Sequence, residues 1–466
     1  MTETQIPPPP LPKSQPPFTR RFSTIIKLLG VGALVLVLLI PLGMITGVLS
    51  DRLQRRNEAV AEIASSWGKE QSVVGPVLIV PYQCRFKSVK EVPGKDKKME
   101  RREVEETAVA EAYFLPERLN VAGDVETEKL HRGIYEAAVF RAHTTLSGKF
   151  AVPDFGALKI DPKDAQWKDA RITIAVSDLR GTREGLTLDW GGSKRPLLPG
   201  SQVPGYTTGA TASLGSDKPI AAPVEFSIPL DFNGSDGVFF APFGVENVAT
   251  LKSNWPDPGF RGAFLPAERS VRADGFNATW KISYYGRDYP QQWESRGGNE
   301  RFNVASVSNS RFGAQFLSIL DAYRYVERSI KYGVLFLVLV FTTFFLFEVT
   351  ARQKIHPLQY LMVGAALCLF YLLLLSISEF VGFGYAYLLA AVASTLLITW
   401  YCRFFLGGGV RTLMIGAGLA GIYTFLYITL RQQDYALLMG AIALFIVLAV
   451  VMYVTRKVDW YARDAG

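Results

Sequence analysis

Cysteine is almost absent from the chain. Its 466 residues include three cysteines, Cys84, Cys368 and Cys402. Cys84 has no second cysteine in the water-soluble part of the sequence, and the other two fall in apolar stretches. A disulfide framework needs paired cysteines, and a Cys-rich metal site needs clustered ones. The sequence therefore excludes both.

Signatures of catalysis and metal binding are also lacking. There is no G-x-S-x-G, H-E-x-x-H, Walker A or paired-carboxylate pattern. His131 and His143 have no third ligand at metal-binding spacing, so ordinary surface or core histidines are favoured over zinc ligands. Residues 416–421 imitate a G-x-G-x-x-G fingerprint, but they lie inside an apolar run with no preceding strand. We predict a protein that is not an enzyme, with no catalytic residue, cofactor or metal.

The basic charge of the chain is dispersed. The net charge is +8, but Lys and Arg are mixed with acidic residues, as in residues 87–106. Binding of nucleic acid calls for a basic patch or stripe. The interspersed charges predict a solvated surface and no nucleic-acid partner.

Long apolar runs are present in two regions, around residues 25–49 and after Lys331. About 20 mainly apolar residues cross a bilayer as a helix, because a helix satisfies its own backbone groups. The predicted spans are 25–49, 332–347, 358–377, 386–405, 413–430 and 436–453. The sequence thus predicts an α-helical integral membrane protein with six transmembrane helices, whose first partner is the lipid bilayer.

A polar region separates the two apolar ones and carries short β-rich segments. These segments are 77–82, 108–114, 137–146, 171–176, 224–230 and 278–285, with Gly, Pro, Asn and Asp clusters between them. Many short strands with turn signals between them indicate packed antiparallel sheets. We predict a large, mostly β, sandwich-like domain over residues 71–310.

Segments of different character flank this domain. Residues 50–70 place Val60, Ile63 and Trp67 on one apolar stripe and predict an amphipathic helix that continues the first span. Residues 311–331 also read as a helix, leading into the second span. The predicted parts, in order, are a disordered Pro-rich tail (1–22), the first transmembrane helix (23–49), the amphipathic helix (50–70), the β domain (71–310), the juxtamembrane helix (311–331), a five-helix bundle (332–455) and a tail (456–466).

The short loops between spans set the predicted orientation. Arg352, Lys354, Arg403, Arg411, Arg456, Lys457 and Arg463 fall on the same side as Arg20 and Arg21. The opposite short loops carry only Arg431. Short cytoplasmic loops are enriched in Lys and Arg. We therefore predict cytoplasmic termini and an outer location for residues 50–331, which in a Gram-negative cell is the periplasm.

Two groups of residues are candidates for a function near the spans. Ser376, Ser378 and Glu379 are predicted to form a water-accessible turn after the third span, where a carboxylate serves either an ion path or a structural role. Glu348 and Arg352 are four residues apart on a helix and predict an interfacial ion pair.

Three stretches resemble the CreD family of bacterial inner-membrane proteins. They are residues 67–82 (WGKEQSVVGPVLIVPY), 323–348 (YRYVERSIKYGVLFLVLVFTTFFLFE) and 354–383 (KIHPLQYLMVGAALCLFYLLLLSISEFVGF). The layout of one span, a long periplasmic domain and a cluster of spans is also similar. The resemblance covers nearly everything except the Pro-rich tail.

That resemblance implies an inner-membrane protein of envelope integrity. The family is linked to colicin tolerance and to a two-component system whose response includes β-lactam resistance. It has no established catalytic residues to carry over. Members often have His after the Glu of S-x-S-E, where this chain has Phe380. This departure weakens a pH-sensing or proton-relay role for Glu379.

Two hypotheses follow. In the first, a non-catalytic envelope protein binds an envelope protein, glycan or lipid through its β domain. In the second, a transporter or lipid-handling protein uses a path lined by Glu379, Tyr371, Ser376, Ser378 and Tyr385. The sequence specifies neither the ligand, the strand order nor the oligomeric state.

Overall fold

The chain divides into two compact units in the computed structural model. It describes residues 23–93, 99–179, 181–182, 185–216, 218–295, 302–316, 322–351, 355–406, 409–432 and 435–456. One unit, here the helical unit, comprises Met1–Arg55 and Leu320–Gly466; the other, here the β unit, is Arg56–Ile319. The tail predicted at 1–22 and nearly all of that predicted at 456–466 lie outside the described residues.

Eight α-helices are described along the chain. They are α1 (Ser23–Trp67), α2 (Val304–Asn309), α3 (Ala322–Lys331), α4 (Gly333–Ala351), α5 (Pro357–Val381), α6 (Phe383–Leu406), α7 (Gly409–Arg431) and α8 (Ala436–Thr455). α1 is one continuous helix of 45 residues, so the first predicted span and the amphipathic segment after it form a single element.

Several of these helices can cross a membrane. Within the described residues, Leu29–Trp67, Pro357–Val381, Phe383–Phe404 and Gly409–Arg431 are long and apolar enough by themselves. A fifth span results if α3 and α4, which are bent by 46° relative to each other, count as one. The apolar part of α8, Leu438–Tyr453, is shorter. The prediction of several transmembrane helices is thus confirmed.

The turn predicted around Ser376 to Glu379 is wrong. These residues lie inside α5, which continues to Val381, and only Gly382 separates α5 from α6. Gly382 has φ 76°, a backbone conformation that glycine adopts without steric cost. The hairpin therefore turns later and more tightly than its polar residues suggested.

The start of α5 follows from its sequence. Pro357 occupies the first turn, where its missing N–H is not needed. His356 caps the helix: its Nδ1 accepts a hydrogen bond from the Leu358 N–H at 3.2 Å, while Gln359 Oε1 accepts from the His356 N–H at 2.9 Å.

The helix predicted over residues 311–331 begins only at Ala322, so the prediction is wrong for its first part. Phe312–Gln315 is a strand. A Cβ on Gly313 would stand 2.1 Å from the Val238 carbonyl oxygen, so glycine permits a close strand pairing here. Pairing between strands outweighs the helical pattern of the segment.

The β unit contains seventeen described strands in two sheets. They are β1 (Gln71–Pro93), β2 (Met99–Phe114), β3 (Arg118–Arg132), β4 (Tyr135–Phe150), β5 (Arg171–Val176), β6 (Thr187–Trp190), β7 (Ser193–Pro196), β8 (Leu198–Pro199), β9 (Gly209–Ser213), β10 (Val224–Ser235), β11 (Gly237–Phe240), β12 (Glu246–Ser253), β13 (Gly259–Gly262), β14 (Glu268–Arg272), β15 (Gly275–Ser283), β16 (Gln292–Glu294) and β17 (Phe312–Gln315). All six predicted β segments fall on strands, apart from Tyr284 and Tyr285 at the end of the last. The large, mostly β domain is confirmed.

The strand order, which the sequence did not specify, is now defined. One nine-stranded sheet runs β13-β17-β11-β1-β5-β9-β8, with β2 pairing β1 and β16 pairing β2. The eight-stranded sheet runs β14-β15-β12-β3-β4-β10-β6-β7. Both sheets contribute to one hydrophobic core, which includes Val77 and Ile174 from the first and Phe140 and Trp280 from the second. Inward side chains alternate with outward ones, as in β10.

The end of α1 packs within the β unit. Ile63 forms a buried cluster with Ala137 and Val139 of β4, and Val60 and Trp67 pack against it. The Trp67 indole N–H donates to the Phe140 carbonyl oxygen at 3.2 Å. The predicted apolar stripe of this segment is thus used for packing on a β strand.

A buried amide joins the two sheets where the β unit begins. Gln71 of β1 is fully buried. Its side-chain NH₂ donates to the carbonyl oxygens of Asn233 (2.7 Å) and Asp178 (3.0 Å), and its Oε1 accepts from the Asp178 N–H (3.1 Å). Asn233 belongs to β10 of the eight-stranded sheet, so one side chain satisfies main-chain groups from both layers.

Candidate functional site

Glu379 lies near the end of α5 with its side chain 7% exposed. Its Oε1 accepts a hydrogen bond from the Tyr323 hydroxyl of α3 at 3.0 Å. Its Oε2 lies 3.6 Å from Nη1 of Arg52 on α1, whose side chain is 40% exposed. One carboxylate in the helical unit therefore receives side chains from two other helices.

The two helices that contact Glu379 lie on either side of the β strands in the chain. In chain order, α1 leads into the β unit and α3 is the first described helix after it. An ionised carboxylate only accepts hydrogen bonds, and it bonds most strongly to charged donors. Glu379 is thus an anchor shared by the segments that enter and leave the β unit.

The other predicted members of this group lie in different surroundings. Ser378 is buried and its hydroxyl donates to the Leu375 carbonyl oxygen at 2.9 Å, a bond within the helix. Ser376 is exposed. Tyr371 is fully buried, whereas Tyr385 is 73% exposed. These four residues therefore differ in environment, since two are buried and two are exposed. The two residues that do meet Glu379 were not predicted from sequence.

Glu348 joins the end of α4 to the start of α5. Its Oε1 accepts from the Ile355 N–H at 3.1 Å, and its Oε2 accepts from the Tyr360 hydroxyl at 3.0 Å. The predicted partner Arg352 lies outside the described residues. The carboxylate thereby stabilises the hairpin between these two helices, because it satisfies a buried backbone donor.

Polar aromatic side chains connect α5, α6 and α7. The Tyr387 hydroxyl donates to the Tyr423 carbonyl oxygen at 2.7 Å, and the hydroxyls of Ser394 and Tyr423 are 2.9 Å apart. Phe370 packs on the rings of both tyrosines. Hydrogen bonds of this kind stabilise helix packing where lipid offers no competing donors.

A groove of about 750 Å³ lies beside this cluster, between α6 and α7. Tyr385, Tyr387, Tyr423 and Tyr427 line it, and Arg431 stands at the end of α7. The Arg431 guanidinium carbon is 5.3 Å from the centre of the Tyr427 ring, a cation–π distance. Polar aromatic residues of two spans therefore share this groove.

The histidines of the β unit sit in exposed ion pairs. His131 Nε2 is 3.1 Å from Glu136 and His143 Nδ1 is 3.0 Å from Asp231. Among the described residues no group of three or more His, Cys, Asp or Glu side chains is placed to hold a metal ion. These contacts are those of ordinary surface pairs.

Comparison with known proteins agrees with the arrangement of apolar helices and a β domain. The family model described as Inner membrane protein CreD matches residues 23–461. The chain is also 31% identical over 430 residues to Inner membrane protein CreD of Escherichia coli (strain K12), with 92% of each chain covered. The chain belongs to the CreD family of inner membrane proteins.

Proposed function

We propose that this protein supports the integrity of the cell envelope without catalysing a reaction. In this proposal the β unit binds an envelope protein, glycan or lipid, and the transmembrane helices anchor it and respond to that binding. The observation that carries the proposal is the contact of Glu379 with Arg52 and Tyr323. A displacement of α1 or α3 would disturb a poorly hydrated, charge-assisted contact, where electrostatic interactions are strong.

The proposal includes a membrane topology. The spans of α1, α5, α6 and α7, the bent pair α3 and α4, and α8 give six crossings. Both termini are then cytoplasmic and residues 50–331 periplasmic, with the two sheets packed as a sandwich. The distribution of basic residues over the short loops supports this orientation. Family resemblance supports the further proposal that the protein contributes to colicin tolerance and to the response to β-lactam stress.

Partner binding can be tested by in-cell photocrosslinking of the full chain. β14 and β7 are the two outer strands of the eight-stranded sheet, and Asp274 and Lys194 are exposed on or beside them. Outer strands present unpaired backbone groups that a partner can bind. We expect a photoreactive amino acid at Asp274 or Lys194 to capture an envelope protein, glycan or lipid, identified by mass spectrometry. Capture only of bilayer lipid matching that at Leu396 in α6 would contradict binding by the β unit.

Replacement of Glu379 tests the coupling. Glu379→Leu removes the acceptor for Tyr323 and the charge facing Arg52, whereas Glu379→Gln retains an acceptor. A hydrogen bond involving a charged group contributes about 1.5–3 kcal/mol, so a coupled equilibrium should shift by about tenfold or more. We expect Glu379→Leu to lose most of the protection against colicin in a strain lacking its own family member, with Glu379→Gln intermediate.

Ser376→Ala is the matched control, because Ser376 is exposed on the same helix. It should protect as well as the unchanged protein. Membrane levels of all variants are measured by immunoblot. Full protection by Glu379→Leu at normal levels would show that the contact is not needed for function.

The second candidate function is transport or lipid handling, and the groove between α6 and α7 favours it. That function would also use polar groups near the end of α5, among them Ser376 and Glu379. The double variant Glu379→Gln, Ser376→Ala should then lose activity well beyond Glu379→Gln alone. Equal activity of the double and single variants would argue against a path through Ser376.

A further inference from the structure

A groove of about 540 Å³ opens in the β unit at the ends of strands from both sheets. Its walls are the hairpin of β6 and β7, the start of β10, the end of β9 and residues 218–223. Trp167, Trp190, Arg195, Lys218 and Glu225 are the large aromatic and charged side chains that line it. It therefore combines two indoles with two cations.

The two indoles are held in place but remain accessible. Each is partly exposed. Trp167 packs edge-on against Phe155, with ring centres 5.8 Å apart, and Trp190 packs at an angle on Phe150 at 5.6 Å. Packing from behind fixes the rings, so they can receive a ligand at low cost in side-chain entropy.

The two indole N–H groups of the groove differ from the others described in this unit. In the same unit, the indole N–H groups of Trp67, Trp255 and Trp280 donate to backbone carbonyl oxygens at 3.1–3.2 Å. Among the described residues, no acceptor is found for the indole N–H of Trp167 or Trp190. A buried indole usually has a partner, and a ligand that covered these rings would bury them. The groove thus offers two N–H donors to a ligand.

The two cations of the groove, like its indole N–H groups, have no hydrogen-bonding partner among the described side chains. Neither the Arg195 guanidinium nor the Lys218 ammonium forms an ion pair or side-chain hydrogen bond with any described residue. Arg195 Nη1 lies 3.8 Å from the place that a Cβ on Gly215 would occupy, so it extends across this glycine. Glu225 is the one carboxylate among the described lining residues. The charged side chains among the described lining residues are thus two cations and one anion, which favours a negatively charged ligand.

We propose that this groove binds an anionic saccharide. The apolar faces of sugar rings stack on indoles, while ring hydroxyls accept from indole N–H groups. A carboxylate on the sugar pairs with Arg195, whose planar guanidinium can hold it with two hydrogen bonds. The inference rests on the proposed function, because it names the class of envelope ligand that the β unit takes. Binding of a peptide at an outer strand is a different mode, which in-cell crosslinking at Asp274 tests separately.

The test is ligand-observed saturation-transfer NMR on the full chain in detergent, with two matched probes. N-acetylmuramic acid carries a carboxylate, and N-acetylglucosamine is the neutral sugar with the same ring. We expect the acid to bind about tenfold more tightly than the neutral sugar, since a charge-assisted pair distinguishes them. Added salt should weaken binding of the acid only.

Variants assign the binding to the groove. Arg195→Gln should weaken binding of the acid to the level of the neutral sugar, and Trp190→Ala should weaken both. Arg269→Gln changes an exposed arginine on β14, at the opposite end of the same sheet, and should change neither. Unchanged thermal unfolding shows that the variants remain folded.

Two results would overturn the proposal: equal binding of both sugars, or binding of the acid that Arg195→Gln and Trp190→Ala leave unchanged. The proposed function can fail separately. If in-cell crosslinking at Asp274 or Lys194 captures an envelope protein while neither sugar binds, the protein binds a partner but this groove is not a saccharide site.

Discussion

A membrane-impermeant maleimide is expected to label Asp274→Cys in intact spheroplasts and to leave Gly409→Cys unlabelled until the membrane is permeabilised. The chain suits this experiment because Cys84, Cys368 and Cys402 are 7%, 4% and 0% exposed. Asp274 lies exposed in the turn between β14 and β15. A Cβ on Gly409 would meet nothing within 4 Å. Neither substitution should disturb its surroundings.

We expect nearly complete labelling of one position and almost none of the other. The basic residues of the short loops and the solvation of the charged β unit both favour this result. Arg403 and Arg411 flank the connection between α6 and α7, and Gly409 is the first residue of α7. Short loops rich in basic residues stay in the cytoplasm. The β unit carries many exposed charges, and hydrocarbon cannot accommodate them. We therefore expect each of the two positions to be reached from one aqueous side only.

A third position completes the experiment. Phe380 is 74% exposed near the end of α5. In the proposed topology three spans precede it, so Phe380→Cys should react from the outer side. Labelling of Gly409→Cys in intact spheroplasts, with none at Asp274→Cys, would invert the topology. Labelling of both without permeabilisation would mean that the two positions lie on the same side. An even number of spans, and not the proposed three, would then separate them.

The membrane helices were predictable because their signal is local. A run such as residues 358–377 is too apolar for water, and its backbone can be satisfied only within the run itself. The β segments were recognisable for a related reason, since alternating exposure along a strand such as Val224–Ser235 is recorded in consecutive residues. The order in which strands pair depends on distant segments, so the sequence alone did not reveal it.

The candidate site was only partly predictable. A carboxylate at the end of an apolar run indicates a special role, and Glu379 was selected for that reason. Its partner Arg52 comes from a helix before the β unit in the chain, and its partner Tyr323 comes from α3, 56 residues before Glu379. No spacing rule relates either residue to Glu379. The same missing information explains the wrong turn. Ser378 and Glu379 look like loop residues until their buried partners in the helical unit are known.

Gln71 is the clearest case of a residue that the sequence does not mark. It precedes an apolar strand, where a glutamine normally faces water. A Cβ on Gly234 would lie 2.7 Å from the Gln71 side chain, so the absence of a side chain at Gly234 lets the amide reach β10. The amide is thus placed by the close approach of two sheets, which is a property of the tertiary structure.

Replacement of Gln71 by Leu is expected to destabilise the β unit by about 3–5 kcal/mol. Three hydrogen bonds are lost, two of them buried, each worth about 1 kcal/mol, and main-chain groups lose their partner at further cost. Hydrogen exchange followed by mass spectrometry on the full chain should show amides of β1 and β10 exchanging about 100-fold faster or more. Gln83→Leu is the control: Gln83 is exposed on the same strand, and its replacement should alter exchange little. Equal exchange in both variants would show that the amide does not hold the sheets together.

The stability of the variant Gln71→Glu is expected to depend on pH. The carbonyl oxygens of Asn233 and Asp178 can only accept hydrogen bonds, so a carboxylate at position 71 would oppose them, whereas a protonated carboxyl can donate to one. Burial and these oxygens should raise the pKa of the new Glu in the folded protein above its unfolded value of about 4.3. Its stability relative to Gln71→Leu should therefore be greatest below about pH 4 and fall as the pH rises through the folded pKa. An exchange difference between the two variants that stays constant from pH 4 to pH 7 would show that the carboxyl is not held against these carbonyl oxygens.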